Sequence, residues 1–159
     1  MTASVPPPSD QVPSPADATA VVHQSIPFLQ RMGLEVLAIE RGYVKLRVPA
    51  DINGNHVGTM YAGALFSIAE VPGGLLGLLM FDPTRFFPVI KAMSVEYLRP
   101  ATSAVTVEAR INDAEADRIL AEAESQGKSD FVLDLEVTDA DGVVVMRSSG
   151  TYQLRARQP

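Results

Sequence analysis

The chain has 159 residues, 47% of them hydrophobic and 20% charged, a balance that fits one globular domain of ordinary size. It has no cysteine, which excludes disulfides, thiolate catalysis and a thiolate zinc site. Two histidines, His23 and His56, argue against a histidine-rich metal centre, and a net charge of −6 argues against nucleic acid, whose phosphates need a basic face.

The opening stretch, MTASVPPPSDQVPSPAD, is rich in Pro and Ser. It lacks the basic start and apolar core of a signal peptide, so residues 1 to 15 read as a disordered tail and the chain is expected in the cytoplasm. Ala16 to Met32 has helical character, with Ser14-Pro15 as a start, Gly33 as a stop and Pro27 splitting it in two. His23 is expected on the surface of that helix. Val44, Leu46 and Val48 then alternate with Tyr43, Lys45 and Arg47, the pattern of a half-buried strand. The segment before it reads as its hairpin partner, turning at Arg41-Gly42.

A polar loop, ADINGNHVG, leads into an apolar run from Thr59 to Met80 that has no polar face. Such a helix is buried nearly all round, and Thr59 suits its N-cap. Glu70, Pro72 and the glycines at 73, 74 and 77 make it a poor membrane span, so no membrane partner is expected. Pro72 removes an N–H and is expected to kink the helix beside Glu70, while Gly73 and Gly74 are expected to allow close approach of the sheet or a partner helix. DPTRFFP reads as a loop, and VIKAMSVEYLRPA and VTVEARI as strands. Asn112 and Glu115 have capping-box spacing, with Ala116, Ile119, Leu120 and Ala123 at helical spacing and a stop at Gly127. The rest reads as a hairpin, with Phe131, Leu133, Leu135 and Val137 on one face and Asp141-Gly142 at the turn. Runs of strands around one buried helix give an α+β class with a mostly antiparallel sheet.

One acid stands inside the buried run. Burying an unpaired charge costs roughly several kcal/mol, so Glu70 is either paired for structural reasons or kept for chemistry. The element order and the loop-to-helix register support the second reading. The stretch N-H-V-G-T-M-Y-A-G-A-L-F-S-I-A-E, from Asn55 to Glu70, resembles the N-G-x-G-x-x-H-G-G-x-x-x-x-L-A-D of phenylacetyl-CoA-type thioesterases of the hotdog fold. Asn55 and Gly58 fall on the family's Asn and Gly, Tyr61-Ala62-Gly63 on its His-Gly-Gly, and Glu70 on its acid. By element order the resemblance spans about residues 26 to 156.

The resemblance implies a single hotdog domain over residues 16 to 159, an antiparallel sheet wrapped around one long helix, acting as an acyl-CoA thioesterase. Glu70 would then be general base or nucleophile, and Asn55 would orient the carbonyl or the water. The N-terminus of the helix carries free N–H groups and the positive end of its dipole. The small residues Ala62 and Gly63 let a thioester oxygen reach it as an oxyanion, with Tyr61 and His56 at the mouth. Burial should raise the pKa of Glu70. No metal or redox cofactor is implied, coenzyme A entering only as part of the substrate. Related enzymes place the site at a dimer interface, so a homodimer or homotetramer is expected, with Asn55 of one chain facing Glu70 of the other. A lone sheet of this kind also leaves an edge unpaired.

Two alternatives compete. Asp51 and His56 match the Asp-x-Asn-x-x-His of hotdog enoyl-CoA hydratases, although only Val57 and Gly58 stand between His56 and Thr59, where those enzymes carry an overhanging segment. A non-catalytic acyl-CoA binder on the same fold is the other. Arg85, Lys91, Arg99 and Lys128 are the cations available to the coenzyme's phosphates, and Phe66, Phe86, Phe87 and Tyr97 the aromatics available to the acyl group.

Overall fold

The computed structural model describes residues 12–157. Residues 1–11 of the expected tail lie outside the described residues. Ser14 and Pro15, assigned above to that tail, belong to a helix start. Ser14 Oγ accepts a hydrogen bond from the Asp17 N–H at 3.2 Å, and Pro15 opens α1 (Pro15–Ser25). Pro27 opens a separate short helix, α2 (Pro27–Arg31), as the split predicted.

β1 (Glu35–Glu40) and β2 (Tyr43–Val48) form the expected hairpin. Gly42 turns it at φ 72°, and a Cβ there would run into the Ile111 carbonyl. The long helix is α3 (Ala62–Met80), followed by β3 (Phe86–Tyr97) and β4 (Val105–Arg110). The inserted helix is α4 (Asp113–Gln126), followed by β5 (Lys128–Thr138) and β6 (Val144–Ala156). Asn112 Oδ1 caps α4 through the Glu115 N–H at 2.8 Å, and Gly127 ends it in the left-handed conformation. The six strands make one antiparallel sheet in the order β1-β2-β4-β5-β6-β3.

The alternating apolar residues of β2, β4 and β5 are the buried ones, and together with Tyr152 and Leu154 of β6 they form the face against which α3 packs. α3 buries Leu65, Ile68, Ala69, Leu76 and Met80 on that side. This is the architecture that the resemblance implied.

Three details differ from the sequence reading. Thr59 is not the N-cap of α3. Met60 stays extended, bridging Gly54 and donating its N–H to the Ala101 carbonyl at 2.8 Å, so the helix begins only after Tyr61. β3 starts at Phe86 rather than Val89, because Phe86 and Phe87 already pair with Ala156 and Arg155 of β6. His23 is not a simple surface residue. It is half-buried, and its Nε2 donates to the Leu34 carbonyl at 2.7 Å. Beside it Thr19 Oγ1 accepts the Val36 N–H at 2.9 Å. Two side chains of α1 thereby occupy main-chain groups on the outer edge of β1.

Pro72 does not end α3, which runs unbroken to Met80. The three glycines that follow Pro72 in it have different surroundings. A Cβ at Gly73 would overlap the ring of Tyr152, and one at Gly77 would press on the ring of Pro88. Gly74 has nothing within 4 Å of the place a Cβ would take. Glycine in a helix interior costs about 0.5–1 kcal/mol relative to alanine. Close packing accounts for that cost at 73 and 77, and nothing among the described residues accounts for it at 74.

β3 is the other edge strand, and a bulge between Ile90 and Ala92 resets its alternation. Pairing with inward residues of β6 therefore puts Ile90, Met93, Val95 and Tyr97 on the α3 side. Pro88 meets Gly77 near the end of α3, and Tyr97 reaches its start. β3 thus runs antiparallel beside the helix.

Gly73→Ala should destabilise the fold by about 1–3 kcal/mol, because the ring of Tyr152 has no room to retreat. Denaturant unfolding monitored by circular dichroism checks this.

Candidate active site

The loop before α3 is held by two asparagines. Asn53 Nδ2 donates to the carbonyls of Met32 and Pro49, both at 2.8 Å, and its own carbonyl accepts the Tyr61 N–H at 2.7 Å. Asn55 Oδ1 accepts the N–H groups of Val57 at 3.0 Å and Thr59 at 3.1 Å. Its Nδ2 donates to Thr59 Oγ1 at 2.9 Å and to the Met60 carbonyl at 3.4 Å. Every hydrogen-bonding position of that amide is thus used inside the loop. Gly58, at φ 82°, closes the turn by donating its N–H to the Asn55 carbonyl.

Tyr61 stands at the N-cap position of α3 and makes no side-chain cap. The N–H groups of Ala62 and Gly63 have no acceptor among the described residues, so the helix start presents two free donors. Ala62 is exposed and Gly63 half-buried. The ring of Tyr61, 60% exposed, lies against Gly63 where a Cβ would sit. Tyr97 donates its hydroxyl to the Ala62 carbonyl at 3.2 Å, tying β3 to the first turn.

Glu70 lies two turns on, about 10 Å further along the axis than Gly63. It is half-buried, and its carboxylate has no ion pair or hydrogen bond among the described residues. Burial raises its pKa above the ordinary carboxyl value, with no charge partner to oppose the shift. Its main-chain carbonyl accepts the hydroxyl of Tyr152 at 2.8 Å, and the Ala69 carbonyl accepts the same hydroxyl at 3.4 Å. Burial, then the charge of Glu70, pushes the Tyr152 phenol up, so it stays a donor. Glu70 belongs to an open stripe at four-residue spacing: Ala62, Phe66, Glu70, Gly74, Leu78. Phe66 is 38% and Leu78 47% exposed.

His56 and Asp51 are both exposed, and neither side chain has a hydrogen-bond partner among the described residues. The loop does not bring them together as a dyad. Of the four cations named above, Arg85 pairs with Glu124 at 2.8 Å and Lys91 with Asp130 at 2.6 Å. Arg99 and Lys128 have no carboxylate partner among the described residues. Arg99, two residues beyond Tyr97, lines a cavity of about 490 Å³ with Arg147, Leu98, Val143 and Val144. Motif reading missed Tyr152, and it named Tyr97 only as an aromatic for the acyl group, not as the donor to the Ala62 carbonyl. Tyr97 and Tyr152 sit at ordinary strand positions, and only the strand register places them against α3.

A carboxyl whose pKa is raised on folding holds a proton in the folded chain that the unfolded chain has lost. Stability therefore falls as pH rises from the ordinary carboxyl value through the raised one. Glu70→Gln should melt above the parent at about pH 8, and the difference should shrink toward about pH 4. Thermal melts across that range check the sign.

A domain family of unknown function, DUF4442, matches residues 16–154. The crystal structure of a protein of unknown function from Pseudomonas aeruginosa, PA5026, a probable thioesterase, is similar at 44% identity and a TM-score of 0.86, covering 91% of this chain and 98% of that one. The thioesterase HI1161 of Haemophilus influenzae is 18% identical with a TM-score of 0.73, over 92% of this chain and 93% of its own. The thioesterase PA1618 of Pseudomonas aeruginosa, as a mutant, is 19% identical with a TM-score of 0.74, over 93% and 98%. No curated protein matches the chain. The chain belongs to the DUF4442 family and carries the hotdog fold of these thioesterases.

Proposed function

We propose that the protein hydrolyses acyl-CoA thioesters, with Glu70 as general base or nucleophile. The observation that carries this reading is a half-buried carboxylate without a partner among the described residues, on the open face of a helix whose start offers two N–H groups with no acceptor among them. The donors of Ala62 and Gly63 receive the carbonyl oxygen as it gains charge. As a base, Glu70 takes a proton from water while the water oxygen attacks the acyl carbon. The C–S bond then breaks, and coenzyme A leaves as its thiol with that proton. As a nucleophile, the carboxylate attacks first and expels coenzyme A as its thiolate; water then cleaves the anhydride to the free acid, restoring the Glu70 carboxylate and releasing the proton that the thiolate takes up. A base with a raised pKa takes protons more readily near neutral pH.

Asn55 acts here through the loop it holds, which presents the helix start. Tyr61, on that start, and His56, in the loop, stand at the mouth. One helix separates its donor end from Glu70 by about 10 Å, so a single chain reaches both ends of the reaction poorly. A second copy paired along β3 would set Glu70 of one chain against the loop and helix start of the other. The unpaired edge of β3 and the open stripe beside it support this homodimer, alone or within a homotetramer. Arg99, two residues past the Tyr97 tie and without a carboxylate partner among the described residues, suits the coenzyme's phosphates.

Glu70→Gln should lower kcat for acyl-CoA hydrolysis by roughly 100-fold or more, measured as free thiol released from an acyl-CoA panel. Unchanged turnover in the folded variant would remove Glu70 from the chemistry, and binding without turnover in the parent would make the protein a binder. Light scattering should give at least twice the mass of one chain, and a monomer that still turns over would refute the shared site.

A further inference from the structure

Among the side chains of α3 only two are polar, Ser67 and Glu70. They stand three residues apart, which makes them neighbours on the helix surface with Cβ atoms about 5–6 Å apart. Gly63, Ser67 and Glu70 follow the i, i+4, i+7 spacing of a single face and lie within about 60° of arc. Ser67, like Glu70, is half-buried. Serine is a poorer helix former than alanine, so helix stability does not account for it.

The Ser67 hydroxyl has a fixed sense. Its Oγ donates to the Gly63 carbonyl at 2.7 Å, so its one proton is committed inside the helix and only lone pairs remain for other neighbours. Toward those neighbours Ser67 is an acceptor, and the ionised Glu70 carboxylate is an acceptor as well. Side chains of a helix lean toward its N-terminus, which carries the carboxylate of Glu70 back over the turn that holds Ser67. Two acceptors at this separation are joined by a molecule with two protons to give, and water is that molecule.

We infer that Ser67 and Glu70 together hold the attacking water, with Ser67 as its second acceptor. The inference rests on the thioesterase reading above, in the form where Glu70 is the general base, and adds to it the residue that orients the water. One proton of the water points to Glu70 and the other to Ser67 Oγ, which leaves the lone pairs of the oxygen for the acyl carbon. As the O–C bond forms, Glu70 takes the first proton, and the second stays on the oxygen against Ser67. The C–S bond then breaks, the sulfur takes the proton from Glu70, and the acid leaves with the second proton. The carboxylate is restored and coenzyme A leaves as its thiol. Without the hydroxyl, a water on Glu70 turns freely about one hydrogen bond and aims its lone pair at the acyl carbon only part of the time. The loss falls on kcat rather than on substrate binding.

The test uses the full-length protein, with Ser67→Ala, Ser67→Thr, Glu70→Gln and the double variant Ser67→Ala/Glu70→Gln, assayed for thiol release from a panel of acyl-CoAs. Ser67→Ala should melt no lower than the parent, because alanine favours the helix. Its kcat should fall at least about tenfold while KM changes less than about twofold. Ser67→Thr keeps a hydroxyl that can make the same bond to the residue 63 carbonyl, and its kcat should stay within about threefold of the parent. In the Glu70→Gln background, Ser67→Ala should cost less than about twofold, because the base that shares the water is already gone. An unchanged kcat in Ser67→Ala would overturn the inference, and so would a loss that multiplies with that of Glu70→Gln. If the methyl of Ser67→Thr disturbs the helix, seen as a lower Tm, the double variant decides alone. Turnover that needs Glu70 but not Ser67 leaves the thioesterase reading standing without this role, whereas a parent that hydrolyses no acyl-CoA removes both.

Discussion

The ring of Tyr152 lies against α3 where residue 73 has no side chain, and this contact sets the rotation of the helix about its axis. The ring stacks on Phe131 of β5 at 5.5 Å between centroids, so it is fixed to the sheet. Its hydroxyl holds the carbonyls of Ala69 and Glu70. Pro72 lacks an N–H, so the helix has one main-chain bond fewer in this turn. The phenol supplies a donor to the same turn from outside. With Gly73 turned to the sheet, residues 66, 70, 74 and 78 have to face away from it. The open direction of the Glu70 side chain follows from this packing.

Charge is arranged differently on the two sides of the sheet. The outer face is laced with ion pairs: Lys45 with Glu108 at 2.8 Å, Arg47 with Glu35 at 3.0 Å, Arg147 with Glu136 at 2.9 Å. Pairs as exposed as these contribute about 0–1 kcal/mol each. They set a cation beside each of these three carboxylates. The helix side has one carboxylate and no cation near it. Glu70 therefore keeps its burial-raised pKa, whereas Glu108, paired with Lys45, is held below the ordinary value.

Much of the fold was legible in the sequence because its signals are local. Period-two burial in β2, β4 and β5, the Asn112 cap, the Gly127 stop and the glycine turns each need only a few neighbouring residues. The boundaries of α3 and β3 were not legible, because distant partners fix them. Ala101 keeps Met60 extended, and Ala156 draws Phe86 into the sheet. The site was half legible. Glu70, Ala62 and Gly63 stand out by register, but the commitment of the Asn55 amide to its own loop depends on how that loop folds. The unequal reasons for three glycines in one helix also appear only once Tyr152 and Pro88 are placed beside them.

The two edges of the sheet are treated unequally. On β1, Thr19 accepts the Val36 N–H and His23 donates to the Leu34 carbonyl, so a helix of the same chain covers that border. On β3 nothing among the described residues does so. A ribbon with one closed border and one open border can be extended once. In the proposed pair joined along β3, both outward borders would be β1 borders, each already met by α1. The short polar contacts of α1 would then hold that pair at two chains without any contact at the pairing surface itself.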